Sequence, residues 1–521
     1  MFFKLVISII ISVSLILTSG INNNDKKPAN PNVITTSLSE KKVVLIVIDS
    51  LMESPMKNAI ESGHAPALKF FIKNSNYYPK LISSYPTMSV TIDSSLITGT
   101  YANQHKVPGL IWYNNSENRL ISYGNNALEN IKLGIPNFIS DSLYKLNNAD
   151  LSHEELTIYE QLDKVGLTSA SINGLVYRGN YEHTLKLPRL LYKFPSIPKE
   201  FRTTGPPLLS FGQLIKVNPT NYSLLNNYGI SDRGSREELN YLIQQNLTPN
   251  FSLVYFPGND RPIHNKGIHT VDGIIKVDKE LQKILNNFSS WEDALHEITW
   301  VIIGDSSQSS ILEDKQRALI DLRSLLKDFI IANLEGIKKD DEIILAPNER
   351  MAYIYALKQV VSITSIREKL MNDNRIGFVA WKEDETIHVM TPTKTTVLTF
   401  KKKGKYTDEF EQSWHLHGDM TILDLSVNNE GRIQYGDYPD GLARLYGALN
   451  SHDGRFLIVD AKPGFEFIGE SSPTHIGGGA HGSLHAVDSL APIIIAGTEQ
   501  VPDHYRIIDL QKWLLKLIRG K

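Results

Sequence analysis

The stretch VVLIVID, residues 43–49, is a continuous run of β-branched and aliphatic side chains that ends on a carboxylate. Such runs are typical of a central parallel strand, because that strand is buried on both faces. The pattern recurs in four further stretches: SLVYFPG (252–258), TWVIIGD (299–305), RFLIVDAKPG (455–464) and APIIIAG (491–497). Ligands bind at the carboxyl ends of the strands in such sheets. Asp49 and Asp305 fall at two of these ends.

Amphipathic segments separate the apolar runs and predict helices. They are APALKFFIKNS (65–75), TVDGIIKVDKELQKILNNF (270–288) and KQRALIDLRSLLKDFIIANLEG (315–336). Strands that alternate with helices predict an α/β fold, here a mostly parallel central sheet flanked by helices. Because 521 residues exceed one ordinary core, we expect either one large domain with an insertion or two domains.

Two regions differ in texture from the α/β pattern. Residues 110–250 are rich in loops and tyrosine, and we expect them to form a loop-rich cap over the site. Residues 387–436 consist of short alternating runs with turns, which indicates a small β-rich insertion. The α/β domain would then comprise residues 43–386 and 437–521.

The N-terminal segment, residues 1–20, reads MFFKLVISIIISVSLILTSG. One lysine and an apolar stretch that is short for a membrane span are typical of a signal peptide, although an uncleaved N-terminal anchor remains an alternative. Residues 21–42 are polar and carry prolines, as a tether does. We therefore expect export to the extracellular space or cell surface, with membrane contact only through an uncleaved N-terminus.

Composition excludes several classes of protein and site. The 54 basic and 57 acidic side chains nearly balance, and no basic stripe is interleaved with aromatic residues, which argues against nucleic acid as a scaffold partner. Cysteine is absent from the sequence, so disulfides, a thiolate nucleophile and cysteine metal ligands are excluded. Any metal ion must be held by histidine, carboxylate and hydroxyl groups.

Three stretches carry candidate chemistry. In LVYFPGNDRPIHNKG, Asp260 and His264 are four residues apart and could meet one cation on a helical turn, or form a solvated capping pair. In SSYPTMSVTIDSSLITGTYANQH (83–105), a short helix opens at Ser89 and closes at Gly99. Ser89 is then either a helix cap or a group at an anion-binding helix N-terminus.

The third stretch is THIGGGAHGSLHAVDSLAP (474–492), hereafter the late loop. Three glycines precede His481, and glycine permits the backbone angles and close approach that a loop delivering a ligand needs. A flexible turn is the alternative.

Together these stretches resemble, in order and spacing, the alkaline phosphatase superfamily, specifically its nucleotide pyrophosphatase/phosphodiesterase branch. That pattern is a strand ending in Asp, a nucleophile in a PT-x-[ST] context ten residues before a TG, a DxxGH-type pair, a strand ending in SDHG, and a late HG. The matching residues here are Asp49, Ser89, Asp260, His264, Asp305 and His481.

The resemblance implies two divalent metal ions, Zn²⁺ before Mg²⁺ or Mn²⁺. Asp260, His264 and His481 would hold one ion (the first metal set), and Asp49, Ser89 and Asp305 the other (the second metal set). It also implies an exported phosphoesterase in which Ser89 attacks phosphorus to form a phosphoseryl intermediate that water hydrolyses. The expected substrate is a small phosphoester, either a nucleotide or a lipid head group, as a diester or pyrophosphate rather than a monoester.

The sequence departs from this family at two places. Ser306 stands where the family has a histidine, so the second metal set would be completed by Ser306, Gln308 or water, take the harder Mg²⁺ or Mn²⁺, or stay empty in an inactive protein. We favour the first two because the other ligands remain. The family's phosphate-orienting asparagine has no clear match. Asn114 is the candidate, and Trp112 and Tyr113 would either stack on substrate or pack in the core.

Four further residues are of interest near these motifs. His485 and Asp488 would support the late loop or serve as a cap and a turn residue. His415 and His417 alternate on a predicted strand and match nothing in the family, so we assign them to structure.

Other functions remain as alternatives. A sulfatase of the same superfamily is set aside, because SVTID supplies neither the proline nor the arginine of its motif. A transferase that passes the covalent intermediate to an alcohol stays open. So does a non-catalytic cell-surface binding protein that lost turnover at Ser306.

Overall fold

The computed structural model describes residues 42–188, 191, 196–219 and 229–520. The predicted signal peptide or anchor (1–20) and nearly all of the tether (21–42) lie outside these residues. Over the described ranges, no helix combines the length and apolarity that crossing a membrane requires.

The main sheet has seven strands and is mixed. In spatial order they are Ser75–Ile82, Leu490–Ala496, Ile298–Gly304, Lys42–Ile48, Phe251–Phe256, Ser169–Ile172 and Leu208–Ser210. The last five pair in parallel. Leu490–Ala496 runs antiparallel to both of its neighbours. The prediction of an α/β fold is confirmed, but that of a mostly parallel sheet is not, because an apolar run such as APIIIAG carries no information about strand direction.

The central strand, Lys42–Ile48, explains why the sequence folds this way. Its odd-numbered residues Val43, Leu45 and Val47 pack in one hydrophobic cluster. The even-numbered residues Val44, Ile46 and Ile48 pack in another on the opposite face. Each buried aliphatic side chain contributes on the order of 1.5–3 kcal/mol relative to an exposed one. The run therefore stabilises the strand only where both faces are covered.

Helices cover the two faces of the main sheet. One face packs against Glu53–Glu61, Pro66–Lys73, Asp232–Gln244, Asp272–Leu285 and Trp291–Glu297. The other packs against Ser89–Thr98, Ile135–Ser140, the π-helix Asp141–Asp150, Ile158–Asp163 and Asp509–Arg519. The other helices of the described ranges are Ala102–His105, Ala127–Leu133, Asp260–Lys266, Lys315–Ala318, Leu322–Leu325, Ile363–Leu370, the 3-10 helix Met420–Leu423, Gly441–Leu449 and Ala486–Ser489.

A second seven-stranded sheet, entirely antiparallel, lies outside the main one. Its strands in order are Ile343–Asn348, Met351–Ala356, Phe456–Ala461, Ile376–Glu383, Thr386–Met390, Leu398–Thr407 and Ser413–Gly418. Segment 387–436, expected to be a β-rich insertion, supplies only part of this sheet. Phe456–Ala461 belongs to this sheet, so the prediction that it is a strand of the main sheet is wrong. It is apolar because clusters on both faces of this sheet bury it.

The predicted helix over 315–336 is wrong. Two short helices, Lys315–Ala318 and Leu322–Leu325, flank the strand Leu319–Asp321, which pairs with Glu466–Ile468. The Asp321 side chain accepts from the backbone N–H groups of Arg323 and Ser324, at 2.9 and 3.2 Å. An aspartate that caps in the middle of an apolar repeat starts a new helix there, and so it divides the segment.

Residues 110–250, expected to be a loop-rich cap, are more regular than predicted. They contain the antiparallel strand pairs Ile111–Asn114 with Arg119–Ser122 and Tyr181–Lys186 with Glu200–Gly205, and they supply the last two strands of the main sheet, of which Leu208–Ser210 is the edge. Three further strand pairs complete the described structure. They are Ser309–Ser310 with Gly479–Ala480, Leu319–Asp321 with Glu466–Ile468, and Leu425–Val427 with Ile433–Tyr435.

Candidate active site

The register of the main sheet places two carboxylates side by side at the carboxyl ends of its central strands. Ile48 is paired with Gly304 and with Phe256, so Asp49 and Asp305 leave neighbouring strands at the same level. The Tyr255 hydroxyl donates to Asp49 Oδ2 at 2.7 Å. Asp305 Oδ1 accepts from the backbone N–H groups of Ser50 and Ser306, both at 2.8 Å. Asp305 is only 1% exposed.

Ser89 is the first residue of the helix Ser89–Thr98, which begins after the extended residue Met88 and ends at Gly99, where φ is +69°. The predicted helix is therefore present, although its cap position is Met88 and not Ser89. Residues 90–98 are buried, while Ser89 is partly exposed and lines a pocket together with Asp49. The free N–H groups and dipole at this helix end favour an anion in front of Ser89.

Asp260 opens the helix Asp260–Lys266, and His264 lies one turn later on the same side. Asp260 Oδ1 is 2.9 Å from His264 Nε2. The Nδ1 atom of His264 lies 2.7 Å from the Gly479 carbonyl oxygen. Because a carbonyl can only accept, Nδ1 donates to it, and Nε2 is the ring nitrogen that faces Asp260.

His481 completes this group from the late loop. Its Nδ1 contacts the Thr87 carbonyl oxygen, which again leaves Nε2 available. The ligand atoms of Asp260, His264 and His481 all lie within 4.8 Å of one another. Gly478 is required for this approach, because a Cβ there would lie 1.9 Å from the His264 carbonyl oxygen.

The buried carboxylates of the site disfavour one another's charge. Burial, followed by the charges of Asp260 and Asp305, raises the pKa of Asp49 well above its ordinary value. Burial also raises the pKa of Asp305. For Asp260 burial acts in the same direction, but the nearby His264 and His481 hold its pKa well below the usual range. Positive charge near Asp49 and Asp305 would offset this cost.

Unpartnered buried atoms show that these residues suit divalent cations. Asp305 Oδ2 and Ser306 Oγ are buried without a hydrogen-bond partner. The first metal set offers one oxygen and two nitrogens, a donor set typical of Zn²⁺. Asp49, Ser89 and Asp305 offer only oxygens, as harder cations prefer. Both sets therefore fit the ions that the family resemblance implies.

The loop after Asp305 differs from expectation in detail. Ser306 is 1% exposed and its backbone N–H bonds to Asp305. The Gln308 side-chain amide donates to Asp260 Oδ1 at 2.7 Å and to Ser50 Oγ at 2.9 Å. Gln308 therefore contacts a member of the first metal set, and not the second set that it was expected to complete.

The three predicted substrate residues are not at the pocket. Trp112 and Tyr113 are 6% and 5% exposed and pack against His452 and Tyr355, so they belong to the core. Asn114 ends the first strand of their hairpin and accepts from Ser116 N at 3.0 Å.

Asn125 is the residue that the sequence interpretation missed. It lines the pocket with Ser89 and is 3% exposed, and its side-chain amide donates to Glu129 Oε2 at 2.8 Å. The hairpin Ile111–Ser122 moves it further along the chain than the family spacing predicts. The sequence signal was the pair Asn125-Asn126 directly after this hairpin, followed by a helix that Asn126 caps.

His485 and Asp488 have structural contacts. His485 Nδ1 accepts from Val487 N at 3.2 Å and so caps the helix Ala486–Ser489. Asp488 forms an ion pair with Arg350, and both side chains are 0% exposed. His415 and His417 lie on the exposed face of the strand Ser413–Gly418.

Glu349 and His475 were also missed. Glu349 lines the pocket from the turn between Ile343–Asn348 and Met351–Ala356, where its φ is +57°. His475 begins the late loop. Burial opposes its charge, but Glu349 and Glu466 raise the pKa of His475 to about 9. In the sequence, the glycines of the late loop were the only feature that pointed to His475 as a site residue. No sequence feature pointed to Glu349.

Comparison with solved structures places this arrangement among known folds. Murine ectonucleotide pyrophosphatase/phosphodiesterase 5, solved in complex with AMP, aligns with a TM-score of 0.55 at 14% identity over 92% of this chain and 95% of that one. The human protein gives 0.53 at 15% over 92% and 95%. Phosphonoacetate hydrolase from Sinorhizobium meliloti, in complex with phosphonoformate, gives 0.53 at 12% over 92% and 96%.

Sequence comparison gives two results. No curated protein matches the chain. The family model described as type I phosphodiesterase/nucleotide pyrophosphatase matches residues 43–484, which include every residue of the pocket described above. The chain therefore belongs to the type I phosphodiesterase/nucleotide pyrophosphatase family.

Proposed function

We propose that this protein is a metal-dependent phosphoesterase that cleaves a phosphodiester or pyrophosphate through a phosphoseryl intermediate on Ser89. The observation that carries the proposal is one pocket in which Ser89 lies beside Asp49, Asp260, His264 and His481. Family membership supports phosphoester hydrolysis as the reaction class. The AMP complex of the murine relative supports a nucleotide as the substrate.

The residues that would hold metal ions follow from the donor sets. Asp260, His264 and His481 would hold Zn²⁺, while Asp49, Ser89 and Asp305, with Ser306 as a neighbour, would hold Zn²⁺, Mg²⁺ or Mn²⁺. When bound, such ions lower the pKa of a coordinated hydroxyl or water and offset charge on the transferring phosphoryl group.

Ser89 supplies the nucleophile in this scheme. Its Oγ loses its proton and forms a bond to phosphorus while the ester P–O bond breaks, and the alcohol or phosphate leaves after taking up a proton. Water then cleaves the Oγ–P bond and restores the serine. No histidine base is needed beside Ser89 in this scheme, since a metal ion held by the second metal set would lower the pKa of the Ser89 hydroxyl.

Two further side chains of the pocket contribute to binding in this proposal. Asn125 is held by Glu129 through one amide hydrogen and offers its second to a phosphoryl oxygen. Arg261 is exposed, lines the same pocket and follows Asp260 directly. A guanidinium in this position suits a second anionic group on the substrate, such as the distal phosphate of a pyrophosphate.

The proposal includes export. The apolar N-terminal segment supports passage across a membrane, with the enzyme acting at the cell surface or outside the cell. Membrane contact, if the segment is retained, would be through residues 1–20 alone.

The experiment compares hydrolysis of bis-p-nitrophenyl phosphate and p-nitrophenyl phosphate by wild type and Ser89→Ala, with EDTA, Zn²⁺, Mg²⁺ or Mn²⁺. We expect metal-dependent turnover that prefers the diester and falls at least about 10³-fold in the variant, because a covalent nucleophile cannot be replaced by binding alone. Ser84→Ala, a buried serine bonded to Ser95 Oγ, serves as the matched control. Undiminished activity in Ser89→Ala would rule out the nucleophile. Silence of wild type with every metal would favour a non-catalytic binding protein.

A further inference from the structure

A second group of potential metal ligands adjoins the first metal set. The ligand atoms of His264, Glu349 and His475 all lie within 4.8 Å of one another, and all three residues are buried. We propose that these residues form an alternative metal-binding set, the overlapping set, which shares His264 with the first metal set. A divalent transition-metal ion at this end of the pocket would then have two coordination positions. The proposed function uses only one of them.

His475 has the features of a prepared metal ligand. Its backbone N–H donates to Glu466 Oε1 at 2.7 Å, and its ring Nδ1 lies 2.8 Å from Glu466 Oε2. Glu466 is 0% exposed. A carboxylate bonded to one ring nitrogen is the usual means of orienting a histidine ligand, because it fixes the ring and directs the other nitrogen. That other nitrogen, Nε2, is buried without a hydrogen-bond partner.

Glu349 lies between the two sets. Its Oε1 is 4.0 Å from His475 Nε2, and its Oε2 is 4.0 Å from His481 Nε2. Both separations are too long for hydrogen bonds. Two ligand atoms that each lie about 2.1 Å from a tetrahedral zinc ion are roughly 3.4 Å apart, so small movements would bring either pair into coordination. The backbone N–H of His481 donates to Glu349 Oε2 at 3.0 Å and keeps this carboxylate in place.

The shared histidine makes the two positions alternatives. His264 Nδ1 faces the Gly479 carbonyl oxygen at 2.7 Å, so only Nε2 can bind a metal ion. An ion bound through His264 therefore belongs to one set at a time. Glu349 is among the residues that line the pocket, whereas His475 is not. Two histidines and one glutamate suit Zn²⁺ or Co²⁺ better than Mg²⁺.

The test isolates the overlapping set by removing carboxylate ligands of the other two sets. Asp305→Asn should leave one Zn²⁺ per chain, as measured by mass spectrometry of metal content after gel filtration. Asp260→Asn/Asp305→Asn should retain one Zn²⁺ at the overlapping set. Adding His475→Ala should weaken that binding at least about tenfold, since loss of even an outer supporting residue has that effect. Adding His485→Ala, at a helix-capping histidine in the late loop, should not.

Two outcomes would overturn the proposal. Equal zinc affinity with and without His475→Ala would show that His475 serves only as an ion-pair partner of Glu349 and Glu466. Absence of zinc from folded Asp260→Asn/Asp305→Asn would show that the overlapping set cannot hold an ion alone. Circular dichroism establishes folding. If the double variant does not fold, Co²⁺ absorption of Asp305→Asn should contain two components, of which Asp305→Asn/His475→Ala retains one, and a single unchanged spectrum would refute the alternative position.

Failure of this inference can be separated from failure of the proposed function. Zinc affinity and cobalt spectra are measured without turnover, so an inactive wild type could still show both positions. Conversely, an active enzyme whose zinc binding does not respond to His475→Ala would keep the proposed function and lose only the overlapping set.

Discussion

The side-chain amide of Gln308 donates to Oδ1 of Asp260 at 2.7 Å, which links the loop after one central strand to the first metal set. The same amide nitrogen lies 2.9 Å from Ser50 Oγ, in the loop after the neighbouring strand. The segments that carry Gln308, Ser50 and Asp260 are therefore joined through hydrogen bonds at the carboxyl ends of three central strands. A substitution in the loop that carries Ser306 should therefore alter the positions of ligands in both the first and the second metal set.

Ser306→His should strengthen metal binding at the second metal set. Ser306 Oγ is buried and unpartnered next to Asp305, so an imidazole there would add a nitrogen ligand to an oxygen-only set. We expect zinc affinity to rise about tenfold or more, measured by competition with a chromogenic chelator. Ser310→His, the same change at an exposed position, is the control. Equal affinities in the two variants would show that residue 306 does not face the ion.

Asn125→Ala should slow the reaction with little effect on folding. Asn125 lines the pocket beside Ser89, and loss of one donor that stabilises developing charge lowers kcat by roughly 10²–10³-fold. Asn114→Ala, at the end of the first hairpin strand, should leave kcat unchanged. The measurement is steady-state diester hydrolysis at saturating metal. A fall in kcat in Asn114→Ala, with none in Asn125→Ala, would assign the phosphate-orienting role to Asn114.

The contrast between these two asparagines shows what sequence can predict. Asp49 and Asp305 could be placed correctly because each follows an apolar run directly, and strand ends meet at one edge of the sheet. Asp260 and His264 could be paired because helical periodicity is local. Asn125 could not, since a hairpin of unknown length separates it from Ser89.

The second sheet illustrates the same limit on a larger scale. RFLIVDA is apolar because it is covered on both faces, a property that central strands of parallel and antiparallel sheets share. Only pairing partners distant in the chain, such as Met351 for Asp460, distinguish the two. Glu349 could not be predicted for the same reason, because its place at the pocket depends on a turn between two strands of that sheet.

Asp488→Asn should destabilise the fold. Asp488 and Arg350 form an ion pair with both side chains fully buried, and the Asp488 carbonyl oxygen accepts from Ser307 N at 2.9 Å. Removing one partner leaves an uncompensated buried charge, which costs about 3–5 kcal/mol of unfolding free energy. Urea titration measures this loss.

The control for this prediction is a surface pair. Glu411→Gln, which breaks the 2.8 Å contact with Arg432 on the surface, should cost less than about 1 kcal/mol. Arg350→Met/Asp488→Leu should lose less stability than Asp488→Asn, because it leaves no charge unpaired. A loss in the double variant equal to or larger than that in the single variant would contradict the ion-pair explanation.

His105 should contribute a pH-dependent part of the stability. Its Nδ1 accepts from Val107 N at 3.2 Å and its Nε2 lies 3.0 Å from Ser95 Oγ, an arrangement that requires the neutral ring. Burial lowers the pKa of His105 from 6.5 to about 3. The unfolded chain therefore takes up this proton first as the pH falls. The stabilisation is fully present above about pH 6.5 and is lost towards pH 3, by up to about 1.4 kcal/mol per pH unit.

His105→Gln cannot titrate, so the difference in unfolding free energy between wild type and variant should shrink as the pH falls from 7 to 4. The same substitution at the exposed His415, His415→Gln, serves as the control. A pH-independent difference for His105→Gln would mean that the buried ring does not stay neutral.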